Sequence, residues 1–246
     1  AIKAALEQAG LSGDKVSEVI MGNVLPAGLG QAPARQATLK AGLPLTAGAT
    51  TINKVCGSGL KAVMLASDLL KAGSADVVVA GGMESMSNAP YLLDKARSGY
   101  RMGHGQIKDH MMLDGLENAY DGKAMGCFAQ CTADEKGITR EQMDAFAVQS
   151  LTRAQQAINS GAFEGEITPV TFQTRKGEVT FNIDEQPGNA KVDKIPTLRP
   201  AFAKDGTITA ANSSSISDGA AALILMRESD AKAQGAKPLA RVVAHA

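Results

Sequence analysis

Residues 49–80 read ATTINKVCGSGLKAVMLASDLLKAGSADVVVA, with Cys56 near the middle. The opening stretch Ala49–Val55 is rich in β-branched residues (Thr50, Thr51, Ile52, Val55) and predicts a strand. Leu60, Val63, Met64, Ala66, Leu69 and Leu70 then recur at helical spacing, and Gly73 marks the helix end. Asp76-Val77-Val78-Val79-Ala80 closes a β-α-β unit. Continuous apolar strands between helices imply a parallel-rich sheet covered on both faces. Cys56 falls at the strand-to-helix junction, where unpaired backbone N–H groups and the positive end of a helix dipole favour a thiolate. Gly57 and Gly59 remove side chains where a ligand or another backbone would approach the sulfur. By analogy with strand–nucleophile–helix elbows this is a place for a nucleophile. The competing reading is an inert cysteine packed as a small hydrophobe.

Composition bounds the function. The chain has 246 residues, with 25 basic and 25 acidic side chains. That length suits one large or two modest domains with a real core. Zero net charge without a basic stripe argues against nucleic-acid binding. Three cysteines do not make a disulfide framework, so a reducing, cytoplasmic compartment is expected. No apolar run approaches the ~18 residues that span a bilayer, and the N-terminus has no signal-peptide pattern. The chain begins inside an amphipathic helical pattern at 1–9 and stops in the apolar Val242-Val243-Ala244-His245-Ala246, which reads as a piece cut from a longer protein.

Around the β-α-β unit, helices and strands alternate. Residues 1–9 predict a helix stopped by Gly10, 17–22 a strand, and Gln31 to Lys40 a helix with Pro33 in its first turn. At Gly81-Gly82 the pattern breaks, with a tight turn expected beside a bound group at the carboxyl end of a strand. Residues 86–120 have no clean period, and a long excursion of that kind is usually functional. Thr139 and Gln142 form a capping-box pattern before an amphipathic helix marked by Met143, Phe146, Leu151 and Ile158. Val170-Thr171-Phe172 and Val179-Thr180-Phe181 predict a hairpin. Ala222 to Met226 reads as a buried strand, followed by a short helix capped by Ser229 and a last strand near Ala240. The expected layout is residues 1–85 as core, 86–215 as a large insertion, and 216–246 as the return to the core.

Other candidates are weaker. The loop Ala211-Asn212-Ser213-Ser214-Ser215 offers hydroxyls and amides for a polar ligand, or for capping and turning. Cys127 and Cys131 are four apart, which favours helix packing over a metal site because no metal-ligand spacing accompanies them. His104 and His110 fall in the irregular stretch and His245 at the chain end, and sequence brings none of them to Cys56.

Taken together, several stretches resemble the thiolase family. They are Gly22-Asn23-Val24-Leu25-Pro26-Ala27-Gly28 through Ala37, Asn53 through Ala62, and Val79 through Ser87. Further matches are Leu198-Arg199-Pro200-Ala201-Phe202, Thr207-Ile208-Thr209-Ala210 and Ser217-Asp218-Gly219-Ala220-Ala221. They stand in the family's order and span nearly the whole chain. The resemblance implies an α/β fold: a layered α-β-α core, here partial, with a large α+β loop domain inserted and the C-terminal thiolase domain absent. It implies an acetyl-CoA acetyltransferase of fatty-acid, ketone or polyester-precursor metabolism, in which Cys56 carries the acyl group as a thioester. A Claisen condensation with acetyl-CoA then forms a 3-ketoacyl-CoA, and the reverse reaction cleaves it. The Cys56 amide is expected as one oxyanion donor. Ser214 matches a serine near the coenzyme A pantetheine arm, and Met125 and Phe202 match residues lining that pocket. No metal and no cofactor is implied, coenzyme A thioesters being substrates; the complete protein is expected to form a homodimer or homotetramer.

The family's Asn-Glu-Ala-Phe, Gly-His-Pro and Cys-x-Gly-Gly-Gly segments do not occur in these 246 residues, nor does its first core strand. Without the His that activates Cys56 and the Cys that moves the α-proton, this piece alone is not expected to complete turnover. Gly103-His104-Gly105 does not stand in for Gly-His-Pro, because its neighbours match the loop domain. Ala211 and Ser215 occupy positions where many relatives have Gly, and Ala124 one where some biosynthetic relatives have His. Two other readings compete: a non-catalytic CoA- or lipid-binding relative, and a ketoacyl-synthase-type condensing enzyme, which the Val55–Gly59 and Gly81–Met86 sequences fit less well.

Overall fold

A computed structural model describes residues 1–246. The chain divides into two compact units, Ala1–Ala119 with Ile216–Ala246, and Tyr120–Ser215. Residues 86–119, grouped above with the insertion, pack with the first unit.

The first unit is built on a four-stranded sheet of order β2-β1-β3-β8, where β1 is Glu18–Gly22, β2 Gly48–Ile52, β3 Val77–Ser85 and β8 Asp218–Met226. β1 runs parallel to both β2 and β3. β8 runs antiparallel to β3, from Val77 opposite Met226 to Ser85 opposite Asp218. Side chains alternate across a strand, and the two cores follow from that period. Val19, Met21, Val77 and Val79 face one way and pack with Ile2 and Leu6 of α1 (Ile2–Ala9) and Ala34 of α2 (Pro33–Lys40). Ile20, Val78 and Ala80 face the other way, onto Ala62, Ala66 and Leu70 of α3 (Ser58–Ala72). Each fully buried valine there contributes about 1.5–3 kcal/mol of transfer free energy. The small residues Ala62 and Ala66 let α3 lie close on the sheet. Gly73 ends α3 in the left-handed region (φ 73°), its N–H bonded to the last carbonyls.

Four expectations are corrected. Ala222 to Met226 do form strand, but in the edge strand β8 none of them is buried and Leu223 is exposed. Gly81-Gly82 is no turn: β3 continues through both to Ser85, because β8 pairs alongside. Gly81 is needed there since a Cβ would strike the Ala221 carbonyl of β8. Residues 239–246 form no strand; His245 instead bonds Asp68 at 2.9 Å. The short helix α7 (Glu228–Ala233) is not capped by Ser229, which lies inside it. Its N-cap is Arg227, whose guanidinium donates to the Leu70 and Ala75 carbonyls at 3.2 and 3.1 Å and so ties α7 to the end of α3.

Two short strands, β4 (Tyr91–Leu93) and β5 (Ile107–Asp109), form a separate hairpin in this unit. In the second unit, α4 (Met125–Lys136) precedes α5 (Arg140–Asn159), which starts at the expected capping box. The hairpin β6 (Val170–Thr174) and β7 (Gly177–Phe181) stacks Phe172 on Phe181 at 5.6 Å, and α6 (Glu185–Asn189) follows.

The entry into β8 is clamped by Asp218. Its carboxylate accepts the Ser87 N–H at 3.0 Å and the hydroxyls of Ser87 and Ser85. The Ser87 hydroxyl, followed by the Ser87 amide, holds this carboxyl below its ordinary value of 3.8. A carboxyl depressed in the folded state adds stability that is complete above its unfolded value and lost as pH falls through the folded one. In urea titrations, the stability gap between wild type and Asp218→Asn is therefore expected to be full near neutrality and to narrow below pH 3.8.

The second unit has its own buried knot. Asp144, 6% exposed, takes the Arg140 Nε at 2.7 Å and the Asn212 amide at 3.2 Å. Arg140 also donates to the carbonyls of Ile195 and Leu198 at 3.2 and 2.9 Å. Asp144→Ala is expected to cost about 2–3 kcal/mol by urea denaturation, Arg140 being left with its carbonyl partners only.

Candidate active site

Cys56 is a free, solvent-exposed thiol on the turn between β2 and α3. The turn is closed by Gly57 N–H to the Lys54 carbonyl and Ser58 N–H to the Val55 carbonyl, both at 3.1 Å. The Cys56 N–H enters none of these bonds. Val55, half exposed, sits in the left-handed region at φ 49°. For a β-branched residue that is an outlier, and holding it costs on the order of 1–3 kcal/mol.

The first turn of α3 lies against the carboxyl ends of β1 and β3, and glycine makes the fit. A Cβ on Gly22 would come within 2.6 Å of the Ser58 Cβ and 2.8 Å of the Gly59 nitrogen. A Cβ on Gly82 would meet the Gly59 Cα and the Gly22 carbonyl at 3.6 Å. The tight position is Gly22, since a Cβ on Gly59 itself would make only ordinary contact with the Gly81 carbonyl at 3.8 Å.

A buried polar knot beside this junction escaped the sequence reading. Glu84, at the end of β3, accepts Asn23 Nδ2 at 2.9 Å, the Val24 N–H at 2.8 Å and the Leu25 N–H at 3.0 Å. Asn23 is 2% exposed, also donates to the Met83 carbonyl at 3.1 Å, and leaves its Oδ1 without a partner. The signal was an amide and a carboxylate each placed just where a buried strand ends, Asn23 after β1 and Glu84 in β3.

The histidines do not gather at the thiol. His110 is buried, with Nδ1 on Asp114 at 2.6 Å and Nε2 accepting the Ala27 N–H at 3.4 Å. That pattern places the proton on Nδ1. His104 lines a surface cavity of about 430 Å³ with Asp94, Tyr100 and Arg101. Cys127 is half-buried and Cys131 exposed on α4, so only the first packs as expected. No cluster of three or more His, Cys, Asp or Glu is arranged to hold a metal ion.

In the second unit, Ser214 lines an open groove of about 1010 Å³ with Met143, Phe146, Leu151 and Lys194. Its loop is set by Asn212, whose Oδ1 takes the Thr209 N–H at 2.7 Å and whose Nδ2 donates to the Thr207 carbonyl at 3.0 Å. Met125 and Phe202 do not line that groove. They come together elsewhere: Met125 opens α4, and the Phe202 ring lies over the next residue, Gly126. Gln130, buried on α4, fixes the irregular segment at Thr207 and Ile208 by accepting their N–H groups at 2.8 and 3.3 Å.

These features define a layered α/β protein that presents a cysteine at a strand-to-helix turn. The family model described as "Thiolase, N-terminal domain" matches residues 1–229, and the chain belongs to the thiolase family. It is 56% identical to an acetyl-CoA acetyltransferase of Escherichia coli and 53% identical to one of Cupriavidus necator. Each alignment covers 100% of this chain and 63% of the relative, so the chain spans under two thirds of their length. Among solved structures, an acetyl-CoA acetyltransferase from Syntrophomonas wolfei superposes with a TM-score of 0.91 at 40% identity, covering 96% of this chain and 60% of that one. A thiolase from Ascaris suum in complex with coenzyme A superposes with 0.89 at 39% identity, covering 97% and 61%. The ketoacyl-synthase alternative thereby gives way to the thiolase reading. No helix is long and apolar enough to cross a membrane.

Gly22→Ala tests the junction. The new methyl meets backbone as well as the Ser58 side chain, so the variant is expected to lose about 1–3 kcal/mol in urea unfolding.

Proposed function

We infer that the chain supplies the acyl-accepting cysteine of a thiolase, an acetyl-CoA acetyltransferase acting on coenzyme A thioesters. The observation that carries this is the exposed Cys56 thiol on a tightly bonded turn at the start of α3, its own amide uncommitted to the turn. The Cys56 sulfur attacks the thioester carbonyl carbon, the bond from that carbon to the coenzyme A sulfur breaks, and coenzyme A leaves as the thiolate and takes up a proton. The acyl group stays on Cys56 as a new thioester. The Cys56 N–H is the local donor for the oxyanion formed on the way. A second acetyl-CoA gives up an α-proton to a base, and its carbanion attacks the carbonyl carbon of the enzyme thioester. The bond from that carbon to the Cys56 sulfur breaks, giving a 3-ketoacyl-CoA and freeing Cys56, which takes up a proton; thiolysis runs this backwards.

Ser214, Met125 and Phe202 are assigned to coenzyme A contacts. For Ser214 alone, support comes from its groove, whose apolar Met143, Phe146 and Leu151 suit a pantetheine chain and whose Lys194 suits a phosphate. The Ascaris suum relative, solved with coenzyme A, adds to that support. The partners are acyl-CoA molecules and further copies of the protein as a dimer or tetramer, in the cytoplasm, with neither nucleic acid nor membrane. No observation favours a non-catalytic binding role.

Incubating the 246-residue chain with acetyl-CoA and mapping its peptides by mass spectrometry tests the assignment. One acetyl group on Cys56 and about one equivalent of released coenzyme A are expected, with Cys127 and Cys131 unmodified. Cys56→Ser is expected to lower acetylation by at least ~10²-fold. Acetylation spread over all three cysteines, or none at Cys56, refutes the reading.

A further inference from the structure

Ser58 is a buried hydroxyl to which the thiolase chemistry above gives no task. It is 4% exposed, and its Oγ makes two bonds to the turn before it. It accepts the Lys54 N–H at 2.8 Å and donates to the Val55 carbonyl at 2.6 Å. The Ser58 N–H donates to the same carbonyl at 3.1 Å. From the other side, Asn53 Oδ1 accepts the Val55 N–H at 2.8 Å. Val55 is therefore gripped at both its N–H and its carbonyl, in a conformation that its β-branched side chain opposes. The peptide unit joining Val55 to Cys56 is planar, so the Val55 torsions set the plane of the Cys56 amide and the direction in which the thiol leaves the chain. Ser58 itself has little freedom, because its Cβ rests where Gly22 has no side chain.

We propose that Ser58 is a positioning residue for Cys56: its hydroxyl, with the Asn53 amide oxygen, keeps Val55 left-handed and so aims the thiol and amide N–H of Cys56. The proposal rests on the assignment of Cys56 as the acyl acceptor. Ser58 touches no substrate in this role and acts only through the backbone of Val55.

The test is a mutant cycle read at individual cysteines. Ser58→Ala, Val55→Gly and the double variant are acetylated with acetyl-CoA and, separately, alkylated with iodoacetamide, with the rate at each cysteine followed by mass spectrometry. Cys127 and Cys131, in the other unit, are internal references. Ser58→Ala is expected to slow acetylation of Cys56 by ~10²-fold, the scale of a misplaced reacting group. Its alkylation should also shift relative to the references, whose rates stay unchanged. Glycine occupies the left-handed region without strain, so adding Val55→Gly should restore most of the loss. A purely packing role for Ser58 predicts no such rescue. Asn53→Ala, at an exposed position, should slow Cys56 in the same direction, and it serves if Ser58→Ala does not fold. Unchanged Cys56 rates in Ser58→Ala, or in Asn53→Ala where that variant replaces it, overturn the proposal, as does an equal loss with Gly at position 55. If wild type takes no acetyl from acetyl-CoA, the acyl-transfer assignment fails, while the alkylation series still decides the role of Ser58.

Discussion

The closeness of α3 to the ends of β1 and β3 is the constraint on which the first unit depends. Helix and strands meet at Gly22, Gly59 and Gly82, and the space for a Cβ at Gly22 is already filled by Ser58 and the Gly59 nitrogen. That approach fixes where α3 begins. The start of α3 in turn fixes a turn of five residues between Ile52 and Ser58, short enough that one of them, Val55, is forced into an unfavourable backbone region. A cysteine held in such a turn has its direction set by the sheet rather than by its own torsional preferences. The apolar faces on either side of the sheet supply the stability that keeps this strained turn in place.

Polar groups at the same end of the sheet do a second job. The chain leaves β1 at Asn23 and runs out into a segment without regular structure, so the amides of Val24 and Leu25 have no strand partner. Glu84 takes both and the Asn23 amide as well. Asp218 does the equivalent for the start of β8 by taking the Ser87 amide and two serine hydroxyls. In each case a carboxylate replaces ladder bonds where the ladder stops, as buried backbone donors require.

Most of the core was legible in the sequence because its signals are local. The β-branched run before Cys56, the helical spacing after it, Gly73 beyond the helix end, and the Thr139–Gln142 capping box each act within a few residues. Each element appears, although β2 stops at Ile52, three residues short of the expected Val55. The failures involve distant partners. Gly81-Gly82 read as a turn because glycine punctuates chains locally, whereas its actual reason is the Ala221 carbonyl of a strand far along the sequence. The Asn23–Glu84 knot was invisible for the same reason, its two residues lying 61 apart. The grip of Ser58 on Val55 is local, but a lone hydroxyl carries no periodicity to mark it. The candidate site was legible at Cys56 through its flanking elements. At Met125 and Phe202 only the family resemblance pointed to a role, whereas Ser214 also stood in a polar loop, and the groove that Ser214 lines excludes the other two.

The placing of β8 has a consequence for how the protein is made. β3 is paired along its full length with a strand that follows the whole second unit; Ser85 and Asp218, which meet at the end of the ladder, are 133 residues apart. Closing so long a loop is entropically expensive, and contacts of that separation form late. While the chain is being synthesised, β1, β2 and β3 emerge before β8 exists, so one edge of β3 stays open while the chain grows by the 133 residues from Ser85 to Asp218. An open apolar strand edge is a place where a nascent chain finds the wrong partner. An insertion in the middle of a sheet therefore sets a delay as well as a shape, and the emergence of β8 is the event that ends the delay.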